Sequence, residues 1–81
     1  MIPLSRTRRG LYRIRQIIGR RVSARLRDMG IMVGDTIEIV SPPPGPVIIS
    51  KNNTRIGIGM GMSNRIIVEP VGVVDEKNHS T

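Results

Sequence analysis

The sequence predicts a mainly β domain: a small barrel or strongly bent sheet of about five short strands, with one short α-helix. Three observations lead there. Five runs of strand composition fit within about 60 residues and are punctuated by glycine and proline. One segment among them has helical spacing instead. The chain has 81 residues and no cysteine, so a single domain must fold on a modest aliphatic core, without a disulfide framework or a thiolate metal site.

The elements follow in order. Residues 1–9 form a basic lead-in, and from Gly10 a strand begins in which Tyr12 and Ile14 alternate inward before the period slips at Ile17. Such a slip marks a β-bulge or a bend at a barrel corner. Val22, Leu26 and Met29 recur at i, i+4 and i+7, within about 60° of one another on a helix, which turns Arg20 and Arg27 to the opposite side. Gly30 is placed to cap that helix in the left-handed conformation, and Ile31 is placed to fold back onto Leu26 in a Schellman motif. Val33-Gly34-Asp35 is turn chemistry, and Thr36–Val40 alternates as the next strand with Ile37 and Ile39 inward.

The proline run at 42–46 interrupts the sheet. Val47–Ser50 and Thr54–Ile58 then form a hairpin across Lys51-Asn52-Asn53. Gly59–Asn64 is a glycine-rich corner, where unusual dihedrals are expected, and Arg65–Glu69 is a last strand closed by Pro70. Residues 71–81 lose periodicity and read as a flexible tail, so the domain spans 1–70. The expected core is Ile14, Ile17, Val22, Leu26, Met29, Ile37, Ile39, Val47, Ile49, Ile56, Ile58, Ile66 and Val68.

Charge narrows the partners. Net charge is +7, yet residues 1–27 carry nine arginines and no acid, while the other 54 sum to −2. A face so biased attracts phosphate, anionic lipid or an acidic protein surface. Apolar runs are only a few residues long, short of the roughly 20 that a membrane-spanning helix needs, and no signal-peptide stretch opens the chain. A cytoplasmic protein is expected. No Ser/His/Asp set, metal cage or close carboxylate pair is visible, so the chain reads as a non-enzyme.

Taken in order, Leu4, Gly10, Ile14 and Ile17, then Leu26-Arg27-Asp28-Met29-Gly30-Ile31-Met32-Val33-Gly34, then Asp35-Thr36-Ile37-Glu38-Ile39, Gly45-Pro46-Val47, the Gly-Met-Gly-Met corner and Arg65–Glu69 resemble the ferrous iron transport protein A (FeoA) family. The likeness spans residues 4–69. It implies an SH3-like barrel that serves ferrous iron transport as a regulatory accessory, with the cytosolic part of FeoB, a transporter bearing a GTP-binding domain, as partner. The chain departs from the family pattern in its basic N-terminus and in Arg9, where proline often precedes the glycine.

Each candidate site competes with a structural role. Gly57-Ile58-Gly59-Met60-Gly61 lacks the Lys-Ser/Thr of a P-loop and reads as a corner. Glu76 and His79 have i, i+3 spacing but supply too few ligands for iron, so no metal site or cofactor is expected beyond weak, adventitious binding of divalent metal. The expected partner contact is Arg21, Arg25, Arg27, Met32 and Val33, arginines flanking a helix that buries its other face beside a small apolar anchor. The alternative function is a small nucleic-acid-binding barrel that uses the arginine-rich face. Against it, Tyr12 is the only aromatic, so neither base stacking nor an aromatic peptide groove is provided for.

Overall fold

The computed structural model describes residues 1–72. Its elements are β1 (Ile2–Pro3), a 3-10 turn (Leu4–Arg6), β2 (Gly10–Ile17), α1 (Arg20–Asp28), β3 (Thr36–Ser41), β4 (Val47–Lys51), β5 (Thr54–Ile58), α2 (Met60–Ser63) and β6 (Ile66–Gly72). The strands form one antiparallel sheet in the order β1-β6-β2-β3-β4-β5. Register shifts against β6 fall between Leu11 and Tyr12 and between Ile14 and Gln16, so the slip in the sequence is a bulge that re-aims the end of β2.

The core contains Ile14, Leu26, Ile37, Ile39, Val47, Ile49, Ile58, Ile66 and Val68, as the alternation predicts, with Ile17, Val22 and Ile56 packed half-buried against it. Leu4, Tyr12 and Ile31 complete it. Met29 does not belong to it: this side chain is 38% exposed. Helical spacing counts Met29 inward only if the helix continues, but α1 stops at Asp28 and Met29 is already its C-cap. The inward place is taken by Ile31, fully buried.

Two stretches that look peripheral in the sequence are structural. In the basic lead-in, β1 pairs with Ile67 and Val68 of β6, Leu4 is fully buried, and the buried Thr7 hydroxyl donates to the Leu4 carbonyl at 2.7 Å. At the other end, β6 runs past Pro70, which pairs with Tyr12, to Gly72, which pairs with Leu11. Because β1 reaches only Ile67 and Val68, β6 has a single neighbour from Glu69 onward, the edge setting in which proline's missing amide is tolerated. The glycine-rich corner is a turn of helix, α2, and none of its glycines takes positive φ, contrary to the expected unusual dihedrals. The β4–β5 hairpin turns through Asn52 (φ 52°) and Asn53 (φ 66°), the paired positive values of a type I′ turn.

Candidate partner-docking surface

Helix α1 is held chiefly by its inner face and its C-terminus. The Ile31 N–H donates to the Leu26 carbonyl at 2.8 Å and the Gly30 N–H to the Arg27 carbonyl at 2.9 Å, with Gly30 at φ 81°. These two bonds define the Schellman motif expected from the sequence, and the apolar pair it brings together, Leu26 and Ile31, is fully buried.

Beyond this cap the chain makes a tight turn, Met32-Val33-Gly34-Asp35. The Asp35 N–H donates to the Met32 carbonyl at 3.1 Å, and Gly34 supplies the positive φ (99°) that a type II turn requires at its third residue. The Asp35 carboxylate accepts the Met32 N–H at 2.8 Å, while β2 grips the turn from below: Gly34 N–H to the Ile14 carbonyl at 2.8 Å and Ile14 N–H to the Asp35 carbonyl at 2.9 Å. Lys51, the last residue of β4, completes the brace. Its Nζ donates to the Gly30 carbonyl and, at 2.7 Å, to Asp35 Oδ2. Burial by itself would raise the Asp35 carboxyl, but the Lys51 hydrogen bond, the Met32 amide and the Lys51 charge together hold it below the ordinary carboxylate value.

The product is a rigid loop with an apolar tip: Met32 is 49% and Val33 55% exposed. The sequence gives no direct sign of the Lys51 brace. The one available signal is that all eleven other cations of residues 1–72 are arginines. A compact ammonium on a flexible stem, with three donors, suits bridging a carbonyl and a carboxylate better than a planar fork does.

The five residues expected to form one contact are distributed over α1 and this turn. Arg25 and Arg27 lie in the last turn of α1, where cations are favourable to the helix dipole. They stand about 160° apart around the helix axis, and Arg27 lines a shallow groove with Ile17, Gly19, Arg20, Ser23 and Ala24. Arg21 is a helical turn earlier, in a second groove with Gly19, Arg20, Val22 and Arg65. Met32 and Val33 project beyond the C-terminal end. Among the described residues, Arg15 and Lys51 are the cations in ion pairs, with Glu69 (3.0 Å) and Asp35 respectively. No group of His, Cys, Asp or Glu able to hold a metal ion occurs among the described residues, and the Glu76/His79 pair lies outside them. No helix among them is long and apolar enough to cross a membrane.

Comparison with known proteins agrees with this architecture. A protein of Methanocaldococcus jannaschii named "Putative Fe(2+) transport protein A" is 33% identical over 75 residues, covering 85% of this chain and 87% of that one. A crystal structure of an iron uptake regulatory protein (FeoA) superposes with a TM-score of 0.76 at 32% identity, covering 86% of this chain and 96% of the other, and the fold is SH3-like. The family model described as the FeoA domain matches residues 2–70. On a match that covers nearly the whole described chain, the protein belongs to the FeoA family and with it to ferrous iron transport, and that family is not a known family of enzymes.

Proposed function

We propose that the protein is a cytosolic, non-enzymatic accessory of ferrous iron uptake that works by docking on the cytosolic part of a FeoB-type transporter, without a cofactor of its own. The supporting observation is the braced turn. Two apolar side chains stand half-exposed at its tip, Arg25 and Arg27 lie in the last turn of α1 that leads into it, and Arg21 is one turn earlier on the same helix. Met32 and Val33 are half-exposed while Ile31 and Leu26 are fully buried, which supports docking over closure of the barrel end as their role. An apolar anchor with a charged rim is suited to a modest, electrostatically steered interface. The nucleic-acid alternative draws less support. Tyr12 is 7% exposed and its hydroxyl accepts the Arg8 N–H at 3.1 Å, so the sole aromatic is not available for stacking.

The test measures binding to the isolated cytosolic part of FeoB. Met32→Ser should leave stability within about 0.5 kcal/mol. The pair Arg25→Glu with Arg27→Glu, which reverses two charges favourable to the helix dipole, should lower it by no more than about 2 kcal/mol. Each should weaken binding at least tenfold, about 1.4 kcal/mol. Wild-type binding by both folded variants would overturn the assignment of this surface.

A further inference from the structure

A further cluster of cations lies at the opposite end of α1. Arg20, Arg21 and Arg65 line one shallow groove with Gly19 and Val22. The Arg65 guanidinium lies against Gly19, where a Cβ would stand 3.6 Å from its Nη1, and the Arg65 carbonyl accepts the Ile18 N–H at 2.8 Å. No acidic residue among the described ones pairs with these three arginines. Two of them are placed at a cost. The first turn of α1 contains Arg20 and Arg21 with no acidic residue and no side-chain cap, so both cations face the positive end of the helix dipole. Two exposed apolar residues are joined to this cluster through the backbone: Ile18, 42% exposed, precedes Gly19 and bonds the Arg65 carbonyl, and Met60, 49% exposed, starts the helical turn that leads into Arg65.

From this juxtaposition we infer that the Arg20/Arg21/Arg65 surface, with Ile18 and Met60, is a docking site for the anionic headgroup surface of a membrane. Charge complementarity selects an anionic partner, and the exposed apolar side chains favour lipid over nucleic acid. They gain from burial at the headgroup–acyl boundary but gain nothing from a phosphodiester backbone. The work of a ferrous iron transport protein also lies at a membrane. The surface shares Arg21 with the rim of the proposed transporter contact but excludes Met32 and Val33, and its test requires no transporter.

The full chain is mixed with vesicles of pure phosphatidylcholine and with vesicles containing phosphatidylglycerol, and bound protein is separated by flotation. It should float with the anionic vesicles alone, and less so as salt rises. Each basic side chain near such a surface is worth roughly a fivefold change in partitioning, so the triple variant Arg20→Gln, Arg21→Gln, Arg65→Gln should bind about a hundredfold more weakly. Because Arg20 and Arg21 oppose the helix dipole, that variant should melt no lower than the wild type, which separates lost docking from lost folding. Ile18→Ser with Met60→Ser should cause a smaller loss that salt does not mimic. Met32→Ser, which tests the transporter contact, should float like the wild type. Equal binding to neutral vesicles, wild-type flotation by the triple variant, or retention of duplex DNA without retention of anionic vesicles would each overturn the inference.

Discussion

Replacing Ile31 by alanine is expected to lower the free energy of unfolding by about 2–5 kcal/mol, whereas Met29→Ala, two residues earlier, should change it by no more than about 0.5 kcal/mol. Both residues follow α1, both are large and apolar, and Met29 is the one whose helical spacing points inward. The difference lies in the cap. Gly30 at φ 81° reverses the chain, which leaves Met29 partly exposed and folds Ile31 onto Leu26. Deleting the Ile31 side chain therefore leaves a void at the junction of helix and sheet. In a domain this small, whose total stability falls in the range of roughly 5–15 kcal/mol, the melting temperature should drop by more than about 10 °C. Urea denaturation of the two variants side by side decides the matter. Similar losses would mean that the reversal at Gly30 does not govern which residue is buried.

Lys51→Met should have the next largest effect on stability, about 1–3 kcal/mol at neutral pH, because methionine retains the aliphatic stem but leaves the Gly30 carbonyl and the Asp35 carboxylate without their cationic donor. Both side chains of the pair are 22% exposed, so solvent screens the interaction only in part. The same pair makes stability depend on pH. The Asp35 carboxyl is held below its ordinary value of 3.8 in the folded protein, so its contribution is complete above that value and disappears as pH falls through the lower folded value. Wild-type stability should thus fall more steeply below about pH 4 than that of Lys51→Met or Asp35→Asn. Urea midpoints measured at neutral pH and at acid pH test both parts. A Lys51→Met protein with wild-type stability and an unchanged acid limb would remove Lys51 from the brace.

Much of the fold is legible residue by residue. The period-two alternation of Thr36–Val40 places Ile37 and Ile39 inward because β3 has a core on one side and solvent on the other. The Schellman cap is legible because Gly30 and Ile31 occupy positions that few residue types can fill. Other features depend on contacts distant in sequence and leave no local trace. Leu4 sits among arginines in a stretch that reads as a solvated arm, and its burial is decided by β6, more than sixty residues later. Pro70 reads as a stop, but it lies where β1 has already ended, so the strand continues. The candidate site divides in the same way. Exposed arginines on α1 follow from helical spacing alone, whereas the support that makes Met32 and Val33 a fixed tip depends on Lys51 reaching back across sixteen residues to Asp35.

That reach sets how a load travels through the molecule. The turn that carries Met32 and Val33 is bolted to β2 through Ile14 and to the end of β4 through Lys51, and β4 in turn pairs with β3 and β5. A partner that pulls on the two side chains therefore pulls on the sheet directly, with no slack loop between them. A protein built this way passes on an angle as well as a position, as a bracket does and a tether does not.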